Sequence, residues 1–381
     1  MLIFSRTLED QIARTIAKGK ILLIFGPRQS GKTTLAKKLL AAHGDPAAYF
    51  NCEELAVRDH LVVGVAERLR DLVGSYKLIV LDEAQTVENI GAILKLFVDT
   101  YPDIQIIATG SSSFDLANKI QEPLTGRAFS YTLLPLSLEE IASVKKVDRE
   151  ELDLILRFGS YPAIVAAETI TEKEQIIKNV TTSYLYKDIF TFEKIKSPLH
   201  FEQLLKLLAY QVGSTVSLNE LAESLGVSRH TVEKYLRLLE QAYVLKRVYA
   251  FSRNKRNEIR RAFKVFFLDT GVRNAVINDL RGIDARADVG QLFEQLFFTE
   301  LLKQSTLETL SPEVRFWRTK QGLEIDFIVE RAGDVRAYEC KWGDATVSFK
   351  TFQKLYPEAH TEIIRPDMLL LERGGARIIT A

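Results

Sequence analysis

Gly26-Pro27-Arg28-Gln29-Ser30-Gly31-Lys32-Thr33 fits the pattern G-x-x-x-x-G-K-[ST], and Thr34 follows it directly. An apolar run, Ile21–Phe25, stands before it and a helical pattern, Thr34–Leu40, after it. A strand, a glycine-bearing loop and a helix start in this order turn backbone N–H groups and the positive end of a helix dipole toward one point. That point suits a polyphosphate. Lys32 would reach the β- and γ-phosphates and Thr33 would hold Mg²⁺, so the expected ligand is ATP with magnesium. Lys77–Gln85 then reads KLIVLDEAQ, an apolar strand ending in two acids. Asp82 suits a carboxylate facing the metal, and Glu83 suits a base for an attacking water.

Further candidates follow along the chain. Ile106–Ser113, IIATGSSS, ends a strand in hydroxyls, and Thr109 or Ser111 would sense the γ-phosphate; ordinary turn chemistry also accounts for them. Arg127, in Leu124-Thr125-Gly126-Arg127, reads as an arginine finger acting in cis or from a second copy, or as half of a surface ion pair.

A second set lies near the C-terminus. Asp326 sits in an apolar run, and Tyr338-Glu339-Cys340-Lys341-Trp342 follows on the next strand. Alternation puts Glu339 and Lys341 on one face and Cys340 on the buried one. An acid on one strand and E-x-K on its neighbour match the PD-(D/E)xK nuclease core, and Glu294, on a preceding helix, matches the acid that often completes it. Such carboxylates hold Mg²⁺, and the lysine positions the nucleophile. A hairpin face of paired opposite charges is the other reading.

Between these sets, Ser217–Leu236 reads as helix–turn–helix. Ser217 and Glu220 would form a capping box, Gly226 the turn, and Ser228 the second cap. Arg229, His230 and Lys234 would face outward from the second helix. Arg253, Lys255, Arg256 and Arg260 belong to a basic run between Lys246 and Lys264 that resembles the wing of a winged helix. Nucleic-acid phosphates would suit this surface; a docking role or an internal brace is the alternative.

The elements that must carry these residues divide the chain. Strand candidates at Ile21–Phe25, Ala47–Asn51, Leu78–Asp82, Ile104–Thr109 and Ala128–Leu133 alternate with helical patterns, which argues for a three-layer α/β domain with a largely parallel sheet. Helical periodicity dominates from about Leu138 to Leu245. Mixed character returns with a helix at about Val289–Gln304, strands at Val314–Arg318, Glu324–Glu330 and Val335–Trp342, and a helix near Ser348–Leu355. The 381 residues suffice for several domains, and a formal charge of +1 excludes a globally basic nucleic-acid coat, so any such contact must be local. Two cysteines are too few for a disulfide scaffold, and the five histidines show no metal spacing. Without a membrane-length apolar run or a secretory start, the expectation is a cytoplasmic chain with no membrane partner.

In this order, GPRQSGKTT, LDEAQ, ATGSSSF, LTGR and LLPLSLEE resemble the prokaryotic AAA+ ATPases whose C-terminal half is a domain of unassigned function. The resemblance covers nearly the whole chain. It implies an AAA+ P-loop core with sheet order 5-1-4-3-2, a winged helix and a C-terminal restriction-endonuclease-like α/β domain. The expected segments are 1–137 for the ATPase core, 138–200 for a helical connector, 201–267 for the winged helix and 268–381 for the nuclease-like domain. Phe158–Pro162 matches the family's Phe-Gly-x-Tyr-Pro segment. Similarity to related signalling ATPases implies that Pro162 packs near the adenine in place of a sensor arginine; a helix-breaking loop is the other account.

Two functions stand. One is an ATP-hydrolysing enzyme that couples nucleotide state to nucleic-acid binding, DNA favoured over RNA, with metal-dependent phosphodiester cleavage by the C-terminal domain. The other is a nucleotide-dependent switch or scaffold whose nuclease-like domain is inactive and binds DNA or protein. Further copies of the chain are expected partners in either.

Overall fold

The computed structural model describes residues 2–16, 19–44, 46–110, 124–182, 195, 197–251, 263–308 and 312–375. The chain divides into two compact units. An N-terminal unit spans Ser5–Pro135 with Gln241–Tyr243. A C-terminal unit holds Met1–Phe4, Leu136–Glu240 and Val244–Ala381, so the segments expected at 138–200 and 268–381, and 201–267 apart from Gln241–Tyr243, fall in it.

In the N-terminal unit the strands are β1 (Ile21–Phe25), β2 (Ala47–Asn51), β3 (Leu78–Asp82), β4 (Gln105–Gly110) and β5 (Ala128–Thr132). They form one parallel sheet in the order β2-β3-β4-β1-β5, which is the order the resemblance implied. β1 and β3 are buried at every residue, as strands of a parallel sheet covered on both faces must be. The accompanying helices are α1 (Thr7–Ala13), α2 (Lys32–His43), α3 (Leu55–Arg58), α4 (Ala66–Val73) and α5 (Ile90–Thr100). Ile90, Ile93, Leu94 and Phe97 of α5 bury one helical stripe in the core with Leu23, Ile79 and Leu81. β4 starts one residue later than its apolar run suggests, because the Ile104 N–H closes a turn onto Tyr101 O.

The C-terminal unit opens on helices: α6 (Leu138–Ala142), α7 (Arg149–Phe158), α8 (Pro162–Ala166), α9 (Ile170–Thr181) and α10 (Pro198–Tyr210). Next come β6 (Thr215–Val216), α11 (Leu218–Leu225), α12 (Arg229–Gln241), β7 (Leu245–Tyr249) and β8 (Phe263–Phe267), with an antiparallel sheet β6-β8-β7. α11 buries Leu221, Ala222 and Leu225, and α12 buries a stripe containing Val232, Leu236 and Leu239. Gly226 makes the turn at φ 63°, and Ser228 Oγ accepts from the Thr231 N–H at 3.1 Å. Ser217 Oγ accepts from the Glu220 N–H at 3.3 Å, but the reciprocal Glu220 bond is not made, so half of the expected capping box forms.

Beyond α13 (Thr270–Val276) and α14 (Val289–Ser305) lie β9 (Val314–Arg318), β10 (Glu324–Arg331), β11 (Asp334–Cys340), α15 (Lys350–Leu355) and β12 (His360–Ile364). The sheet order is β12-β11-β10-β9; β11 and β12 are parallel and the other pairs antiparallel. Phe266 of β8 stacks on Phe298 of α14 at 4.8 Å between ring centroids, and Phe327 of β10 meets both rings. This aromatic core fastens the end of the helix–turn–helix segment to the C-terminal sheet. β12 escapes a hydrophobicity reading because most of its residues are exposed or half-buried. β11 ends at Cys340 rather than Trp342, although the Lys341 N–H still bonds Ile364 O.

Candidate functional site

At the carboxyl end of the parallel sheet, Gly26 follows β1 directly. A Cβ there would stand 2.1 Å from Leu133 O, so only glycine fits. Gly31, at φ 98°, turns the loop into α2. Buried Lys32 donates from Nζ to Gly26 O at 3.1 Å and Pro27 O at 2.8 Å. The Thr33 Oγ1 hydroxyl donates to Asp82 Oδ2 at 2.8 Å. Thr109 Oγ1 donates to the other oxygen of Asp82 and accepts the Glu83 N–H at 3.2 Å. Glu83 itself sits in the left-handed region at φ 52°, where its carboxylate accepts from Gln85 Nε2.

Thr33, Asp82, Glu83 and Thr109 are therefore joined by hydrogen bonds beside Lys32, although they come from three separate segments of sequence. Arg28, Gln29 and Thr34 are exposed, while Pro27 and Ser30 are buried in the loop. Ser111 lies outside the described residues. Arg127 takes no part in this network: its Nε donates to Asp99 at 2.8 Å on the surface. An exposed pair of this kind contributes about 0–1 kcal/mol. Pro162 is the first residue of α8, in the C-terminal unit.

Sequence reasoning missed two neighbours. Tyr49 OH donates to Asp82 Oδ2 at 2.5 Å, and its pKa is raised by burial, then by that bond and the charge of Asp82. Arg6 donates to Ser30 O and Leu134 O, each at 2.6 Å, tying the loop to the end of β5. Neither residue belongs to a local motif, so no spacing rule could have found it. The glycine cradle, the buried lysine and a hydroxyl bonded to a carboxylate suit a polyphosphate with a hard divalent cation, and the residues present fit both groups.

The nearby Cys52 thiol is pushed up to about 12 by burial and by the charges of Asp82 and Glu83. Burial holds Cys340 well above the usual thiol range as well. Because a thiol with a pKa near 12 is only about 10⁻⁴ thiolate at about pH 8, Cys52 should not react with Ellman's reagent in the native chain, and burial should protect Cys340 as well. Guanidinium should expose both; fast reaction of the native protein would contradict this burial.

On α12, Arg229, His230 and Lys234 are exposed. Arg253, Lys255, Arg256 and Arg260 lie outside the described residues. Two members of the basic run are not solvent-facing. Arg247 is tied to Glu233 at 2.7 Å and to Glu240 at 2.5 Å, and Lys264 is 1% exposed. The regular alternation of β8 is lost because both of its faces are covered.

The C-terminal carboxylates gather around Lys264. Its Nζ lies 2.5 Å from Glu324 Oε1 and 3.2 Å from Glu294 Oε1. Burial alone would lower its pKa, but the charges of Glu294, Glu324 and Asp326 hold it above the ordinary lysine value. The pairing of β10 with β9 shifts register between Ile325 and Ile328, next to Asp326. Asp326 Oδ2 accepts the Cys340 N–H at 2.9 Å, and Glu339 Oε2 accepts the Asp326 N–H at 3.3 Å. Lys341 Nζ donates to Glu339 Oε1 at 2.8 Å. Burial first and Asp326 second push Glu294 to about 8; burial and then Glu339 push Asp326 to about 6.

Asp326, Glu339, Lys341 and Glu294 are thus neighbours, with Lys264 and Glu324 among them. Among the described residues, no three Asp, Glu, His or Cys side chains are arranged to hold a metal ion. Lys264 holds one oxygen of Glu294, a backbone N–H holds one of Asp326, and Lys341 and a backbone N–H hold both of Glu339. This set does not fit a resident metal.

Comparisons with known proteins match three successive segments of the chain. A family model described as an AAA domain matches residues 18–142. Domains of unknown function, DUF8612 and DUF4143, match residues 149–284 and 289–378. The segment that resembles an AAA domain carries the parallel sheet and the glycine-bearing loop described above.

An uncharacterized protein of Mycobacterium tuberculosis is 28% identical over 90% of this chain and 74% of its own length. One from Methanocaldococcus jannaschii is 23% identical over 85% of this chain and 75% of its own. Among solved structures, a Signal Transduction ATPase with Numerous Domains from Pyrococcus horikoshii, with a tetratricopeptide repeat sensor, is 13% identical at a TM-score of 0.32. The alignment covers 80% of this chain and 47% of that one, so the chain spans about half the length of that protein. Drosophila ORC bound to AT-rich DNA and Cdc6 is 12% identical at a TM-score of 0.27, over 72% of this chain and 90% of that one. No described helix is long and apolar enough to cross a membrane.

Proposed function

We propose that this chain binds ATP with magnesium, hydrolyses it, and uses the nucleotide state to govern nucleic-acid binding by its C-terminal unit. The observation that carries the reading is the hydrogen-bonded set Thr33–Asp82–Thr109–Glu83 beside Lys32 at the carboxyl ends of a parallel sheet. Thr33 and Asp82 would hold magnesium, which neutralises phosphate charge when bound. Lys32 would exchange the carbonyls of Gly26 and Pro27 for phosphate oxygens. Glu83, once released by Gln85, would take a proton from the water that attacks the γ-phosphorus as the bond to the β-phosphate oxygen breaks. Phosphate release measured with and without Mg²⁺, and with and without duplex DNA, tests this. Absence of hydrolysis under all conditions would remove the ATPase; rates and DNA affinities indifferent to the partner ligand would remove the coupling.

Arg229, His230 and Lys234 on the exposed face of α12 support a phosphate-backbone contact. Arg229→Glu with Lys234→Glu should weaken duplex binding at least tenfold and flatten the salt dependence by about 0.9 per lost phosphate contact. Fluorescence anisotropy across a salt series reads both. An unchanged isotherm would assign α12 to docking or bracing instead.

For the C-terminal carboxylates, the buried Lys264 favours the second reading, a nuclease-like domain that binds without cleaving. Plasmid incubated with the full chain, ATP and Mg²⁺ or Mn²⁺ should remain intact. Cleavage that Asp326→Ala abolishes would restore the nuclease.

A further inference from the structure

A buried ammonium is costly unless carboxylates surround it, and a cluster of buried carboxylates is costly unless a cation neutralises it. In nuclease-type clusters that cation is a divalent metal. Here the chain brings its own. Lys264 reaches Glu324 at 2.5 Å and Glu294 at 3.2 Å, and its side chain is 2% exposed. Arg318 adds a second positive group at 3.6 Å from Glu324, and Lys341 a third at 2.8 Å from Glu339. The Glu294 carboxylate lies against a small neighbour. β8 pairs with β6, and just before β6 a Cβ at Gly213 would stand 3.0 Å from Glu294 Oε2. Phe316 presents its ring to the ammonium at 5.4 Å, closing another side.

We infer that Lys264 supplies, from within the fold, the positive charge that a divalent cation would supply to the cluster Glu294, Glu324, Asp326 and Glu339, and that the cluster therefore takes up no divalent metal. The inference rests on the nuclease-like reading of Asp326, Glu339 and Lys341 given above. A metal entering the cluster must displace or deprotonate an ammonium already paired with two carboxylates, and it would sit beside Lys341 as well. β8 belongs to the sheet of the helix–turn–helix segment, whereas Glu294 and Glu324 come from α14 and β10. The ion cluster therefore also joins these elements, a structural role that a catalytic metal site would not need.

The test is Mn²⁺ binding by the full chain, nucleotide-free and carrying Asp82→Asn so that the N-terminal unit contributes no site. Loss of the free-Mn²⁺ paramagnetic resonance signal reports binding, and circular dichroism reports folding. The parent should bind no Mn²⁺ at millimolar concentrations. Lys264→Met should gain one ion, and Asp326→Asn added to it should lose that ion. A parent that binds Mn²⁺ and loses it with Glu294→Gln overturns the inference, as does a folded Lys264→Met that gains none. A gained ion that survives Asp326→Asn overturns the nuclease-like reading together with the inference. If Lys264→Met does not fold, the parent decides alone: no bound Mn²⁺ supports the inference, and binding abolished by Asp326→Asn overturns it.

Discussion

Glu83→Gln should leave ATP bound while lowering its hydrolysis by about 10²–10⁴-fold, the usual contribution of a positioned general base. The substitution keeps the length of the side chain and an oxygen that can still accept from Gln85 Nε2, so the loop after β3 retains its shape. The unusual backbone at φ 52° does not distinguish the two residues. What is lost is the carboxylate that takes the proton. Lys32→Ala should behave differently, because it removes the positive charge in the loop and with it the nucleotide. Equilibrium binding of a fluorescent ATP analogue separates the variants, and phosphate release ranks them. Hydrolysis at the wild-type rate by Glu83→Gln would take the base away from residue 83. Tight nucleotide binding by Lys32→Ala would take the phosphate site away from the loop. Melting curves without nucleotide complete the comparison, since Lys32 also holds Gly26 O and Pro27 O.

The two candidate sites differ in how far they could be read from sequence. The phosphate loop is a local object: a strand, a turn and a helix start lie within one short stretch, and β1, β2 and β3 begin and end where the apolar runs do. Asp82 was legible because it ends such a run. Tyr49 and Arg6 were not, because each reaches its partner across the fold, Tyr49 from β2 to β3 and Arg6 from the N-terminus to the loop. The C-terminal set shows the same limit more sharply. Asp326, Glu339 and Lys341 follow from strand alternation, whereas Lys264 reads as one more member of a basic run. The packing of Phe266 on Phe298 and Phe327 holds this face of β8 inward, with that lysine among the carboxylates. β12 was missed because an edge strand with a mostly polar, exposed pattern gives no period-two signal.

Gly271→Ala should destabilise the C-terminal unit by about 3 kcal/mol or more, at the upper end of what overpacking a core contact costs. α13 crosses the carboxyl end of α7 at this residue. A Cβ on residue 271 would stand 1.9 Å from Phe158 O and 2.7 Å from Gly159 N, and these are backbone atoms that cannot rotate away. The close approach has a purpose. The last carbonyls of a helix lack partners within it, and here Thr270 Oγ1 donates to Ile155 O at 2.7 Å while Asn274 Nδ2 donates to Leu156 O and Arg157 O at 2.9 Å. Asp269 accepts the Ser160 N–H at 2.8 Å, which fixes the segment leading to Tyr161 and Pro162. Moving α13 outward to admit a methyl group would lengthen all of these bonds at once, and a buried donor or acceptor left unpaired costs about 1–3 kcal/mol. For a unit of this size about 3 kcal/mol corresponds to a fall of roughly 6–12 °C in Tm. Gly282→Ala is the control, since a Cβ there meets nothing within 4 Å. A melting temperature for Gly271→Ala equal to that of the control would mean that α13 does not depend on this contact.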